Sequence, residues 1–327
     1  MSGHPGMQRN ASRSRGMTLI ELMVAMTIGL FLTWGAIQVY IQSKGNYRAA
    51  EVMTRLQENA RFAMETLEPD LRLVGFWGRH RESALMQPPV GIAVSCGGTN
   101  VSAWALDFDA PVAAVDDNYN LACAPFSTAR AGSDVLVIRH ASELPMAPQA
   151  GQIQVESSLT RGVLFDDGVI PSGFGADGET RDLVVDAYYV DNTSSFSGAI
   201  PSLRRKTLIS GGVIEDQEMI TGVENLQVQY GLDTNGDGAV ERYVDPDSPT
   251  VTVGAIGFLP GARIIVVRIW LLIRAEDSPG PEFRDVRQYQ PLDLNDAPIT
   301  PAGGLYPPQF PRIEVTKTIF LRNQAVG

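Results

Sequence analysis

The chain has 327 residues, 44% of them hydrophobic, and a formal net charge of −11. That length can bury one large core or two small ones, and the acidic balance excludes a protein that tracks nucleic acid along a basic face. Two cysteines, Cys96 and Cys123, exclude a disulfide scaffold, and three histidines, His4, His80 and His140, leave little for a zinc site or a nucleophile–base pair.

The N-terminal stretch 1–15 holds Arg9, Arg13 and Arg15 and no acid. Gly16 follows, then an apolar run from Met17 to Ile41 interrupted by one carboxylate, Glu21. Crossing a hydrocarbon core takes about 20 apolar residues, so the run suffices. The positive-inside bias keeps the arginines cytoplasmic and sends the rest of the chain outward. A secretory signal is cut after its apolar region. Here the candidate cleavage point, Gly16, precedes that region, so a cut there removes the charged leader and keeps the hydrophobic helix. A start at Met7 instead of Met1 leaves the same Arg15-Gly16 junction.

Glu21 is costly where it stands, since a carboxylate within a spanning helix costs roughly 2.5–3.5 kcal/mol on insertion scales. Three partners are open to it. One is the α-amino group of Met17 freed by cleavage, one turn away on the same face. Another is the amino group of a neighbouring chain in a staggered bundle. The third is the helix start itself, where the dipole favours an acid.

The string Arg15-Gly16-Met17-Thr18-Leu19-Ile20-Glu21-Leu22-Met23-Val24-Ala25 resembles the class III leader of type IV prepilins and pseudopilins. The resemblance implies that a dedicated prepilin peptidase cuts after Gly16 and methylates Met17, and that Glu21, at the fifth mature position, is required for assembly. Met17 departs from the phenylalanine more frequent in the family.

Beyond the apolar run, Met53, Leu56, Ala60, Ala63, Leu67 and Leu71 recur at steps of three and four, with Glu51, Arg55, Glu58, Arg61 and Glu65 on the other faces. One helix over 17–72 is expected, with Pro69 ending or kinking it near Glu68; a break near Gly45 is the alternative. Strands are expected at Ser133–His140, Gln152–Glu156, Asp182–Val190, Leu203–Ile209, Asn225–Leu232, Arg263–Arg274 and Ile313–Leu321. They should pair antiparallel, because no helical crossovers lie between them. Segments 80–130 and 275–312 read as long surface loops. The fold class is α+β: a long N-terminal helix, membrane-spanning in its first half, packed on an antiparallel β-sheet head with long loops. The organisation is a leader over 1–16, the helix over 17–72 and the head over 73–327.

The strand half extends the resemblance. Gly132-Ser-Asp-Val-Leu-Val-Ile-Arg139, Ile200-Pro-Ser-Leu-Arg-Arg205, Glu218-Met-Ile-Thr-Gly-Val-Glu-Asn-Leu-Gln-Val-Gln-Tyr230 and Arg263–Arg274 look like PilW-type minor pilins of type IV pili, themselves similar to J-type minor pseudopilins of type II secretion. The resemblance implies a minor pilin that primes the filament near its tip; a membrane-tethered enzyme, the remaining reading, lacks an acid–base or nucleophile set in the sequence. Its partners would be the prepilin peptidase, other minor pilins, the major pilin, a tip adhesin and the inner membrane, with no nucleic acid. Its head would lie in the periplasm and later in the pilus fibre. A minor pseudopilin of a type II secretion system is the alternative.

Three local features remain. Asp233-Thr-Asn235-Gly-Asp237-Gly-Ala239-Val-Glu241 sets oxygens at alternate positions and then Gly, as in the first half of an EF-hand-type loop, with Asp233, Asn235, Asp237, the Ala239 carbonyl and Glu241 offered to calcium. Position twelve is Val244, without the bidentate acid, and Asn-Gly and Asp-Gly equally signal a hairpin turn. In an oxidising periplasm Cys96 and Cys123 would bridge, a cross-link worth about 3.5 kcal/mol in the chain-entropy model; two free buried thiols are the other reading. Gly173-Phe-Gly175-Ala-Asp-Gly178 matches G-x-G-x-x-G but precedes a strand instead of opening a helix, and so reads as a loop.

Overall fold

The computed structural model describes residues 16–80, 86–87, 91–252, 258–293 and 296–324. The leader arginines Arg9, Arg13 and Arg15 lie outside the described residues. Two compact units divide the chain, Met1–Ala50 and Glu51–Gly327.

The apolar run and the amphipathic stretch form one α-helix, α1 (Leu19–Leu73), unbroken at Gly45. Between Leu19 and Ile41 its large apolar side chains are all exposed, and among the described residues it is long and apolar enough to cross a membrane. From Leu56 on, one face is buried: Leu56, Ala60, Ala63, Met64, Leu67 and Leu71. Exposed Glu51–Arg55 and Arg61–Glu65 pairs at i,i+4 mark the opposite side.

Pro69 does not end the helix, contrary to the expectation from its missing N–H. The last turn is held from outside, by burial of Leu67 and Leu71 and by the Tyr188 hydroxyl, which donates to Asp70 Oδ2 at 2.5 Å. The helix stops at Gly75, whose φ of +70° suits a residue without Cβ and whose N–H donates to Arg139 O. A Cβ there would meet Gln324 Nε2 at 2.0 Å.

The head's strands are β1 (Met86–Gln87), β2 (Ser95–Cys96), β3 (Thr99–Asn100), β4 (Val112–Val115), β5 (Val135–Ala141), β6 (Ala150–Ser157) and β7 (Gly162–Asp167), then β8 (Glu179–Asp191), β9 (Ser202–Ile209), β10 (Val213–Thr221), β11 (Val223–Asp233), β12 (Arg242–Val244), β13 (Arg263–Arg274) and β14 (Arg312–Phe320). One sheet runs β1-β7-β6-β8-β9-β10-β2-β3, with β4-β5 joined to β8; the other runs β12-β11-β13-β14. The long strands pair antiparallel as expected, and only the short β1–β7 and β2–β10 contacts are parallel. The thirteen-residue β8 serves three neighbours: Glu179–Asp182 pair with β6, and the rest with β5 and β9.

Alternation along β11 explains how the helix is covered. Leu226, Val228 and Tyr230 face a cluster shared with Leu56, Leu67 and Leu71 of α1, Ile138, Tyr188 and Val190 of the first sheet, and Ile269 and Leu271 of β13. Asn225, Gln227 and Gln229 take the other face. There Trp270 and Leu272 pack against Tyr289, with Leu292, Ile299 and Tyr306 beside them. Segment 275–312 is therefore not simply a surface loop: a two-sided apolar strand needs a second cover, and this segment supplies it. Segment 80–130 likewise contains β1–β4 and a short helix, α2 (Ser102–Ala105). The buried Arg139 anchors it, donating from Nε to Trp104 O at 2.8 Å and from its backbone N to Pro111 O.

Candidate functional site

Gly16 and Met17 lie just before α1 and are exposed, and a Cβ on Gly16 would meet nothing within 4 Å. Thr18 is the N-cap. Its hydroxyl accepts from the Glu21 N–H at 3.2 Å, and Glu21 Oε2 accepts from the Thr18 backbone N–H at 3.3 Å. This is a capping box. With the leader attached, the nitrogen of Met17 is a peptide nitrogen, and Glu21 is satisfied by Thr18. The signal was present in the sequence as Thr-x-x-Glu before an apolar run; weighing Glu21 against two amines and the helix dipole misses the Thr18 hydroxyl and N–H.

The acidic loop joins β11 to β12. Asp233, at the end of β11, is buried, while Asp237 and Glu241 are exposed. Asp233 Oδ1 accepts from the N–H groups of Asn235 at 3.2 Å and Gly236 at 2.6 Å, and Oδ2 from Gly238 at 2.9 Å. Asn235 Oδ1 accepts from Asp237 N, Asp237 Oδ1 from Ala239 N, and Glu241 Oε2 from Thr234 N. Desolvation would raise the Asp233 carboxyl, but the backbone donors of Gly238, Gly236, Asn235 and Asp237 prevail and hold it below the usual carboxylate value. One oxygen each from Asp233, Asp237 and Glu241 lie within 4.8 Å of one another. Asn235 joins them through Nδ2, which donates to Asp237 Oδ2 at 3.2 Å. The hairpin turn and the clustered oxygens thus coexist.

Cys96 and Cys123 are joined by a disulfide with Cα atoms 5.5 Å apart. It pins β2 to the connection after β4, beside Trp77, Val101 and Phe108.

Two ionic groups escaped sequence reasoning. On β9 and β10, Arg204 pairs with Asp216 at 2.6 Å and Glu218 at 3.1 Å, and Lys206 with Asp216 at 2.7 Å. Desolvation opposes ionisation of Asp216, yet Lys206, Tyr189 and Arg204 draw its carboxyl below the usual value. At the far end of the head, Asp116 and Asp117 after β4 and Asp293 from segment 275–312 bring carboxylate oxygens within 4.8 Å of one another. Burial, then the charges of Asp293, Asp247, Asp117 and Asp245, push the Asp116 carboxyl up to about 7. Burial pushes Asp134 up to about 8, against hydrogen bonds from the N–H groups of Asp117 and Val228. These acids come from segments far apart in sequence; the only sign of them is the density of Asp in the loops.

Residues 187–323 match the family model described as Type IV Pilus-assembly protein W, and residues 11–37 match the prokaryotic N-terminal methylation motif. The two matches cover the helix start and the second half of the head, and with them the strings 15–25, 200–205, 218–230 and 263–274; Gly132–Arg139 lies outside both. No curated protein sequence matches. Among solved structures, a type IV-like pilin from Thermus thermophilus is similar at 12% identity, over 83% of this chain and 98% of that one, with a TM-score of 0.35.

Proposed function

We propose that this PilW-type, type IV pilin-like chain is a minor pilin that takes part in pilus assembly, priming the filament near its tip with other minor pilins. The observation that carries the reading is the capped, exposed apolar half of α1: the Leu19–Ile41 stretch holds a single acid, Glu21, and its surface has no cover among the described residues. A bilayer would cover that surface first, with the head in the periplasm, and neighbouring helices of a filament afterwards. Cleavage after Gly16 would free the amine of Met17 for methylation. It would also remove the peptide bond before Met17 and leave a cation one turn from Glu21, or offered to the Glu21 of a neighbouring chain.

Mass spectrometry of the membrane or filament fraction tests processing: the mature chain is expected to begin at a methylated Met17, and an N-terminus beyond Ile41 refutes the reading. Co-purification of the processed chain with other minor pilins and a tip adhesin supports the pilus; co-purification with type II secretion components transfers the same helix chemistry to a pseudopilin. The β11–β12 loop is proposed as a weak calcium site built on Asp233, Asn235, Asp237, the Ala239 carbonyl and Glu241. The backbone donors already order it, and the carboxylate oxygens already converge.

A further inference from the structure

Asn235-Gly236 is the one Asn-Gly pair in the chain. In water such a pair reacts with itself. The glycine nitrogen gives its proton to solvent base and attacks the asparagine Cγ. As the N–Cγ bond forms, the Cγ–Nδ2 bond breaks, and Nδ2 leaves as ammonia with a proton from water. Water then opens the five-membered succinimide at either carbonyl, giving aspartate or isoaspartate. Glycine favours the attack, because no Cβ hinders the approach or the backbone rotation it needs.

Burial does not shield this pair. Residues 234–239 are all exposed, and a Cβ on Gly236 would meet nothing within 4 Å. Hydrogen bonds restrain both reacting groups instead. The nucleophile is held by Asp233, whose Oδ1 accepts from the Gly236 N–H at 2.6 Å. Bonds from N–H groups to carboxylates are roughly twice as strong as neutral ones, and removing this proton would set an amide anion against a carboxylate. Burial pushes the Asp233 carboxyl up, but its backbone donors prevail and hold it below the usual value, so it stays ionised at the alkaline pH that speeds the attack. The electrophile is held by Asp237. Asn235 Oδ1 accepts from Asp237 N at 2.9 Å, and Asn235 Nδ2 donates to Asp237 Oδ2 at 3.2 Å. One partner is a donor and the other an acceptor, which fixes the orientation of the amide, and it cannot rotate without losing both bonds. Asp233 is itself 2% exposed and sits at the end of β11 opposite Arg263 of β13, so the restraint is anchored in the sheet. Asp237-Gly238 repeats the arrangement, with the Gly238 N–H on Asp233 Oδ2 at 2.9 Å and Asp237 Oδ1 accepting from Ala239 N at 2.8 Å.

We propose that Asn235 is a latent deamidation site, held closed in the folded head by Asp233 and Asp237 and opened when the β11–β12 loop loses their hydrogen bonds. Conversion removes the Nδ2 donor to Asp237 and adds a charge beside two acids. The isoaspartyl product also lengthens the backbone by a methylene in the turn that sets the Tyr230–Val244, Gly231–Tyr243 and Leu232–Arg242 register. A chain whose loop has opened is thereby marked, and the loop does not close again on the same bonds.

The test incubates the full chain in detergent at pH 8, with chelator so that no bound cation contributes. The peptide carrying Asn235 is followed by mass spectrometry, with the aspartyl and isoaspartyl forms separated. The folded chain should convert at least tenfold more slowly than the same chain unfolded in urea. Folded Asp233→Ala should convert at least tenfold faster than the parent; if that variant does not fold, Asp233→Asn should convert at least threefold faster. Glu224→Gln, which weakens the fold at the other end of β11, should leave the rate within about twofold, because local opening and not global stability sets it. Conversion of the folded parent at the unfolded rate overturns the proposal, as does an unchanged rate in the Asp233 variant that folds. Equal acceleration by Glu224→Gln would assign the protection to the fold as a whole and overturn the role of Asp233.

Discussion

Replacing Glu224 by Gln tests what holds segment 275–312 to the sheet. Glu224 and Arg312 are both 0% exposed, joined through Nε–Oε2 at 2.5 Å and Nη2–Oε1 at 3.0 Å. Arg274 Nε lies 3.9 Å from the same carboxylate, and Asp285 Oδ2 lies 3.6 Å from Arg312 Nη1. The amide keeps the shape and removes one charge, leaving two buried guanidiniums with Asp285 as the neighbouring acid. Removing one partner of a buried pair costs about 3–5 kcal/mol, a factor of roughly 10²–10⁴ in the folded-to-unfolded ratio. Glu65→Gln is the control. It breaks a pair with Arg61 whose side chains are 79% and 56% exposed, and such helix pairs contribute about 0.3–0.5 kcal/mol. Urea denaturation of the Glu51–Gly327 unit reads both, with the midpoint shifting at constant slope. Replacing both members, Glu224→Leu with Arg312→Met, should restore much of the loss. A Glu224→Gln cost within about 1 kcal/mol of the control would refute the argument that burial sets the worth of this pair.

Glu21→Ala should still be inserted and cleaved but assemble poorly, read by pilus counts and recovery with other minor pilins; unchanged piliation would reject a role for the carboxylate in assembly. Cys96→Ser opens a loop spanning 27 positions, which costs about 3.5 kcal/mol in the chain-entropy model. The melting point should fall by on the order of 10 °C, and an unmoved melting point would show that the bridge constrains nothing. Millimolar calcium should raise the melting point of the head by linkage, and Asp233→Ala and Asp237→Ala should each shrink the rise; indifference to calcium and chelator alike leaves only the hairpin turn. Asp134 and Asp116 are raised by burial to about 8 and about 7. Their stabilising contribution is complete below the ordinary carboxylate pKa and is lost as pH climbs toward 8. In chelator, the head should therefore melt higher at pH 6.5 than at pH 8, above the range where neutral, buried His140 would begin to oppose folding; a melting point that rises with pH over that window refutes the sign.

The elements legible in the sequence were those with a strong local pattern. Arg263–Arg274 is a run of β-branched and large apolar residues, and β13 has those same bounds. The buried stripe of α1 was written in steps of three and four, and only Met64 was added to it. Strand β10 was missed because Val213–Thr221 is crowded with acids. They become favourable only opposite Arg204 and Lys206, through the β9–β10 register, and register is not a local property. Pro69 misled for the same reason, since contacts from distant strands override a local preference. Gly16, Met17 and Glu21 could be read because they lie within one short string. The convergence of Asp116, Asp117 and Asp293 could not, because separate segments must fold before they meet.

The last strand of the head closes on the C-terminal end of α1. Lys317 of β14 pairs with Glu68 of α1, and Asn323 Nδ2 donates to Val74 O, each across a sequence separation of 249 residues. Closing so long a loop is entropically slow, and contacts of such high order delay folding. As the chain is synthesised, α1 emerges early, but β13 and β14, which share its core, come last. The cover of the apolar stripe from Leu56 to Leu71, begun by β5, β8 and β11, is therefore completed only when nearly all of the polypeptide is available. A chain halted before Arg312 would lack both the last strand and the guanidinium that neutralises Glu224, and would present that stripe to chaperones or proteases. Completion of the core on α1 is in this way coupled to completion of the chain.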